Sequence, residues 1–141
     1  VEQAYVQILL ARSIPCFHMM EKSSVESNDI IYQTVSYIAR HFREEVSLDR
    51  MARDLGVSKF TLSRVFSGTF HRNFNQFLNE QRLNYVTVHL ECTDESITDI
   101  CMDAGFESQR TFNRAFRERY RMTPREYRTL YKEKYLREEQ T

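Results

Sequence analysis

The sequence has few glycines, prolines and cysteines, and this composition restricts the fold classes that it can adopt. Among 141 residues there are only 3 glycines and 2 prolines, and runs of β-branched residues are short. Strand-rich folds need frequent turns and β-branched residues, so we predict an all-α fold. An odd number of cysteines, 3, without a pairing pattern argues against a disulfide scaffold and for a reducing, cytoplasmic compartment.

Long hydrophobic runs and catalytic motifs are also lacking. No apolar stretch approaches the ~20 residues of a membrane span, and no secretory signal is visible, so we predict no membrane partner. No phosphate-binding glycine loop or nucleophile motif occurs, and we predict no enzyme activity and no cofactor. Cys92 and Cys101 with His89 nearby could bind metal or sense redox, but their spacing matches no zinc module. We therefore predict no metal site and two small, buried cysteine side chains.

One stretch of the sequence occurs twice. Residues 47–56 (SLDRMARDLG) return as residues 96–105 (SITDICMDAG), 49 positions later. The correspondence continues beyond the glycine with an offset of 50, joining Ser58, Leu62 and Phe66 to Ser108, Phe112 and Phe116. A helix, a glycine turn and a second helix, present twice, predict two helix-turn-helix units. In such a unit the second helix enters the major groove of DNA.

The charge is zero overall but unevenly distributed. A net charge of +0 argues against a nucleic-acid partner, because such domains are usually basic. However, residues 58–72 carry basic residues and no acid, residues 108–128 carry seven arginines against two glutamates, and residues 91–107 carry only acids. The basic segments coincide with the second helix of each repeat, which favours a DNA partner. The alternative interpretation is that these clustered charges only lie on solvent-exposed faces of helices.

Capping residues predict where the helices begin. Asn28 or Asp29 is expected to open a helix with a buried face from Ile31 to Phe42. A long helix is expected to run from Asn73 to about Leu90, which gives roughly 25 Å as a spacer between the two units. The remaining predicted starts are the serine caps Ser47, Ser58, Ser96 and Ser108 and the capping box at Thr123-Pro124-Arg125-Glu126. The last helix is expected to extend through Leu130, and the charged tail from Lys132 to fray.

The outward positions of each second helix are the candidate base-reading residues, because the inward positions are apolar. They are Lys59, Phe60, Thr61, Ser63 and Arg64 in the first unit and Gln109, Arg110, Asn113 and Arg114 in the second. Arginine can fork onto guanine, amides can bridge adenine, and a phenyl ring can contact a thymine methyl. Candidate phosphate contacts are the helix starts Ser58, Ser108 and Thr123 and the arginines Arg117, Arg121 and Arg125. For any single residue, an ordinary exposed helix position is the alternative.

These motifs resemble the signature of the AraC/XylS transcription regulators. The resemblance covers about residues 30–130. It rests on residues 97–116 followed by Met122-Thr-Pro-Arg-Glu-Tyr-Arg128, and on Met51-Ala52, Gly56-Val-Ser58, Leu62-Ser-Arg-Val-Phe66 and Arg82-Leu83 in the first unit. It implies a bacterial regulator with seven helices, in which two helix-turn-helix units are joined by a long central helix. Such a protein inserts both recognition helices into adjacent major grooves of double-stranded promoter DNA, and RNA polymerase is a further expected partner.

The sequence departs from the family pattern at four positions. His71 and Arg121 stand where the family commonly has glycine, which puts the turn geometry there in question. Val86 and Cys101 replace small residues, so slightly different helix packing is expected.

Arg82, in the long helix, is predicted to be a structural ion-pair partner.

The resemblance also suggests a domain plan. Residues 1–20 would be the C-terminal end of a truncated N-terminal regulatory and dimerisation domain, through which a homodimer could form. Residues 21–28 would be a linker, residues 29–133 the DNA-binding domain and residues 134–141 a charged tail. The alternative function is a helical protein-interaction or dimerisation module that has lost DNA reading.

Overall fold

The computed structural model describes residues 25–140, with side chains from residue 28 onward. This part of the chain is all-α and contains no strand. It forms two compact units, of which the first ends at Gln81 and the second begins at Arg82. The predicted segment 1–20 lies outside the described residues. The all-α fold class predicted from the sequence is confirmed.

Seven α-helices and one π-helical segment make up the described chain. The first unit contains α1 (Val25–His41), α2 (Leu48–Leu55), α3 (Lys59–Val65), the π-helical segment Phe66–Phe70 and the start of α4 (Phe74–Cys92). The second unit contains the end of α4, then α5 (Ile97–Asp103), α6 (Gln109–Tyr120) and α7 (Pro124–Glu139). Helices α2 and α3 form one helix-turn-helix, and α5 and α6 form the other.

The predicted caps are confirmed at five helix starts. In each, a serine or threonine with extended backbone accepts a hydrogen bond from the backbone N–H three residues on: Ser47, Ser58, Ser96, Ser108 and Thr123. At Thr123 the capping box is complete, because Glu126 also accepts from the backbone N–H of Thr123 at 2.8 Å. Asn73 and Gln76 exchange the same pair of bonds at 2.8 and 3.0 Å. These bonds satisfy donors that the helix itself cannot.

Two predicted helix ends are wrong. Helix α1 begins at Val25, before the expected cap at Asn28 or Asp29, since residues 25–29 contain no glycine or proline that would interrupt the helix. Asp29 instead accepts a hydrogen bond from the Gln33 side chain at 3.0 Å, one turn along the same helix. Helix α7 runs to Glu139, well past Leu130, because its last turns are rich in strong helix formers.

The core of the first unit is built around phenylalanines and the apolar face of α1. That face is buried as predicted, and Leu62 and Met51 are fully buried in the same unit. The rings of Phe66 and Phe70 lie 5.5 and 4.6 Å from the ring of Phe77 in α4. Because Leu62 and Phe66 must face this core, the opposite side of α3 is left to solvent.

The second unit has an equivalent aromatic core, and hydrogen bonds join its last helix to the end of α4. Phe112 and Phe116 are at most 1% exposed, and Phe116 meets Tyr127 of α7 edge-on at 5.6 Å. The Tyr127 hydroxyl donates to Glu91 at 2.6 Å. Arg128 donates to backbone carbonyls at the end of α4 and just beyond it. These contacts fix the start of α7 against the end of α4.

The residues that depart from the family pattern are accommodated. His71 and Arg121 adopt left-handed backbone angles, with φ of 54° and 59°, so the turns keep the conformation that glycine adopts easily. Cys101 is fully buried as predicted, and burial raises the pKa of its thiol to about 11. The prediction for Cys92 is wrong, because this residue at the end of α4 is exposed.

Candidate nucleic-acid interface

Every candidate base-reading side chain is exposed on α3 or α6. The set comprises Lys59, Phe60, Thr61, Ser63 and Arg64 on α3 and Gln109, Arg110, Asn113 and Arg114 on α6. Phe60 is 71% exposed, which is unusual for a phenyl ring and costs the folded chain part of its hydrophobic stabilisation. The left-handed Gly56, with φ of 67°, lets the chain turn sharply from α2 into α3.

The outward face of α3 has contacts of its own. The Lys59 ammonium lies 3.1 Å from a carboxylate oxygen of Asp49 on α2. The Arg64 guanidinium lies over the Phe60 ring, 5.7 Å from its centroid, in a cation–π arrangement. The hydroxyl of Thr61 is hydrogen-bonded to that of Ser58 at 2.8 Å. The side chains at 60 and 64 therefore form one exposed pair, whereas Thr61 is engaged at the cap.

The outward face of α6 is less constrained. The Gln109 side-chain amide donates to the Thr98 hydroxyl on α5 at 2.6 Å. Within the described residues, the side chains of Arg110, Asn113 and Arg114 make no hydrogen bond or ion pair to protein. Their polar ends are thus available to an external partner.

The two cross-helix bonds occur at equivalent positions of the repeat. Asp49 corresponds to Thr98, and Lys59 corresponds to Gln109. In both units, therefore, the second residue of the first helix holds the first residue of the recognition helix. This link was not predicted from the sequence, because the repeat offset shows that these positions are equivalent but not that their side chains touch.

Each unit has a groove between its recognition helix and the start of the next helix. The second groove is lined by Ile97, Asn113, Arg114, Arg117, Glu118, Arg121, Thr123, Pro124 and Arg125. Half of the residues that line the first groove correspond to these, namely Leu48, Ser63, Ser67, His71, Asn73, Phe74 and Asn75, and Asp49, Lys59 and Arg72 also line it. The structure thus brings four of the predicted phosphate contacts together with two predicted base readers, in the second groove.

The remaining predicted phosphate contacts lie elsewhere. Ser58 and Ser108 are exposed at the N-terminal ends of α3 and α6 and do not line either groove. Their hydroxyls are engaged in the caps. At these positions the protein can offer backbone N–H groups and the positive end of a helix dipole to an anion.

Arg82, expected to be structural, is buried among protein groups. It is 8% exposed, and its guanidinium lies 5.9 Å from the centroid of the Phe106 ring. Burial lowers the pKa of Arg82, and the nearby Glu107 charge opposes that shift.

No three His, Cys, Asp or Glu side chains among the described residues are grouped to hold a metal ion. None of the helices described here has both the length and the apolar character of a membrane span.

Comparison with known proteins identifies the family. A family model described as "Helix-turn-helix domain" matches residues 51–129. The regulatory protein SoxS of Escherichia coli is 35% identical over 99 residues, which cover 70% of this chain and 92% of SoxS. A crystal structure of a Chromobacterium violaceum transcriptional regulator with an AraC-type DNA-binding domain superposes with a TM-score of 0.69 and 30% identity, covering 75% of this chain and 95% of that one. The chain belongs to the AraC/XylS family.

Some relatives are much longer than this chain. An uncharacterized helix-turn-helix-type transcriptional regulator of Staphylococcus aureus is 36% identical over 105 residues, which are 74% of this chain but 14% of the relative. The chain therefore spans about a seventh of that relative's length.

Proposed function

We propose that this AraC/XylS domain is the sequence-specific DNA-binding part of a bacterial transcription regulator. Its recognition helices α3 and α6 would enter adjacent major grooves of double-stranded promoter DNA. The observation that carries the proposal is the repeated placement of exposed, base-compatible side chains on the outward faces of both helices. The exposed phenyl ring at Phe60 forgoes hydrophobic burial unless a partner covers it, and Arg110 and Arg114 are free to bind an external acceptor.

The proposed roles follow the chemistry of each side chain. Arg64, Arg110 and Arg114 would fork onto guanine, and Gln109 and Asn113 would bridge adenine. Phe60 would contact a thymine methyl. Lys59, Thr61 and Ser63 complete the reading set, with the Thr61 hydroxyl reaching DNA only if it leaves the cap.

A second set would hold the DNA backbone. Arg117, Arg121, Arg125 and Thr123 line one groove, where the N-terminus of α7 adds a positive dipole end. Ser58 and Ser108 mark two further helix starts with free N–H groups. Contacts to phosphate position the protein and supply affinity without reading sequence.

A protein-interaction role is the second candidate. It is favoured by Leu130, Tyr135 and Leu136 on α7, each more than half exposed. RNA polymerase and a second copy of the chain are the partners we would consider for such a surface. This role is compatible with DNA binding, because these residues are outside the base-reading set.

The first test is selection of the chain against randomised duplex DNA. Two enriched motifs about 10 base pairs apart, one helical turn, would support two reading helices. One enriched motif would mean that only one helix reads bases. No binding even at low salt would overturn the proposal and favour the interaction role.

The second test separates base reading from phosphate binding. Arg114→Ala should weaken binding to the selected sequence by about tenfold or more, as expected for loss of a bidentate contact worth ~1–3 kcal/mol, and change mixed-sequence binding much less. Arg40→Ala, on α1 and outside both sets, makes the same charge change and is the control. An equal loss of affinity for both DNAs would make Arg114 a phosphate contact.

A further inference from the structure

The two grooves differ in charge at equivalent positions. Arg117, Arg121 and Arg125 line the second groove, and the residues at the same places in the first groove are Ser67, His71 and Asn75. Three guanidinium groups in one unit are thus replaced by a hydroxyl, an imidazole and an amide in the other. The backbone conformation at the middle position is the same, since His71 and Arg121 are both left-handed.

The cations that the first groove does contain are paired with carboxylates of the same unit. Lys59 lies 3.1 Å from Asp49, and Arg72 lies 2.9 Å from Glu80. At the equivalent positions of the second unit, the first pair is the neutral Gln109–Thr98 hydrogen bond. The second pair is replaced by Met122 and Leu130, which carry no charge.

The arginines of the second groove are not neutralised in this way. Arg117, Arg121 and Arg125 make no ion pair with any residue that the structure describes. Glu118 is the one carboxylate lining that groove. A phosphate approaching the second groove therefore meets unpaired guanidinium groups, whereas one approaching the first groove must displace a carboxylate.

We propose that the two units contribute differently to DNA binding. The second unit anchors the DNA backbone, whereas in the first unit Asp49 and Glu80 neutralise Lys59 and Arg72 and so weaken their attraction for phosphate. This inference rests on the proposed function. Exposed ion pairs such as Lys59–Asp49 are weak, so DNA can displace the carboxylate. The gain from each phosphate contact is nevertheless reduced by the pair that is broken. The first unit then contributes discrimination through Phe60 and Arg64 with little sequence-independent affinity.

An exchange between the repeats tests the anchoring role. The triple variant Arg117→Ser, Arg121→His, Arg125→Asn gives the second groove the residues of the first. Each replacement is already used at the equivalent position, and histidine tolerates the left-handed backbone better than most residues. Affinity of the full chain for a mixed-sequence duplex is measured against salt. Loss of three phosphate contacts should lower the slope of log affinity against log salt by about 2.7, at ~0.9 per phosphate.

A double-mutant cycle tests the restraint. Asp49→Asn should raise mixed-sequence affinity and steepen the salt slope by ~0.9, because on DNA that offers Lys59 no matching base its released ammonium binds a phosphate. The same change in a Lys59→Gln background should give little gain. Asp94→Asn, which breaks the exposed Lys132–Asp94 pair outside both grooves, is the matched control and should leave the slope unchanged.

Three results would overturn the inference. One is a change of less than one unit in the slope of the triple variant, with its circular dichroism spectrum intact. Another is an equal gain from Asp49→Asn with Lys59 present or replaced, which would mean that Asp49 acts only through its own repulsion of DNA. The third is an equal gain from Asp94→Asn. If the unmutated chain binds no duplex at low salt, the proposed function itself fails. Binding of the unmutated chain is therefore measured before any variant is compared.

Discussion

Four described residues take the left-handed backbone conformation, and two of them are not glycine. Gly56 and Gly105 adopt it at no steric cost. His71 and Arg121 do so although a side chain in this region costs roughly 1–2 kcal/mol. Their turns lead into the capped starts of α4 and α7, so the structure tolerates the strain at the places where each recognition helix must end.

Gly56 and Gly68 allow a matched test of backbone strain. A Cβ added at either glycine would meet no heavy atom within 4 Å, but only Gly56 has a positive φ, of +67°. Gly56→Ala should therefore destabilise the protein by about 1–2 kcal/mol. Gly68→Ala should stabilise it by ~0.4–1 kcal/mol, since the unfolded chain loses freedom. Urea unfolding of both variants checks this, and equal effects would show that strain at Gly56 is not the cause.

Tyr37 provides a pH-dependent contribution to stability. Its hydroxyl donates to Asp54 at 2.6 Å, and burial followed by this hydrogen bond raises the pKa of Tyr37 from 10.0 to about 12. Folding thus favours the protonated form. The resulting stabilisation is complete below pH 10 and is lost as the pH rises through about 12.

The comparison of Tyr37→Phe with the unmutated chain isolates this contribution. The difference in unfolding free energy between the two should be constant up to about pH 10. It should then shrink steadily toward pH 12, because only the unmutated chain loses a proton there. Denaturant titrations at a series of pH values measure it. A constant difference would mean that Tyr37 keeps an ordinary pKa.

At the scale of helices, starts that a side chain caps were predictable, and boundaries without such a cap were not. A cap is a local signal, since Ser58 or Thr123 bonds a backbone N–H only three residues away. The start of α1 and the end of α7 depend on the absence of a stop signal and on helix propensity, which local patterns specify weakly. The exposure of Cys92 at the last position of α4 was missed for the same reason, because a shift of one position changes the face that a residue presents.

The candidate site was predictable in part. The outward residues of α3 and α6 followed from helical periodicity once Leu62, Phe66, Phe112 and Phe116 were assigned to the core. The ion pair between Lys59 and Asp49 and the bond between Gln109 and Thr98 did not follow. They join residues of different helices and depend on the angle between those helices, which periodicity within one helix does not contain.

The capping box of α7 should matter for stability. Thr123→Ala removes the acceptor for the Glu126 N–H but keeps the backbone N–H that donates to Glu126, and should cost about 1 kcal/mol. Thr129→Ala is the control on the same helix, since its exposed hydroxyl only back-bonds to Arg125. It should be neutral or slightly stabilising because alanine is the better helix former. Equal destabilisation by both variants, followed by urea unfolding, would contradict a special role for the cap.

At the scale of the whole molecule, α4 contributes to both compact units. It supplies Phe77 and Leu78 to the first unit and Val86 and Leu90 to the second, and all four are buried. A single helix that is needed by two cores links their stabilities, because each core loses part of its packing when the helix frays. The two units are therefore expected to unfold together.

Matched core truncations test this cooperativity. Phe116→Ala in the second unit and Phe66→Ala in the first each remove a ring that is at most 1% exposed, at a cost of roughly 3–5 kcal/mol. If α4 couples the units, either variant should give one transition, shifted to lower temperature, in calorimetry. Hydrogen exchange should then show α1 and α7 losing protection to the same degree. Two transitions, one of them at the transition temperature of the unmutated chain, would mean that each unit folds by itself and that one helix-turn-helix unit can unfold without the other.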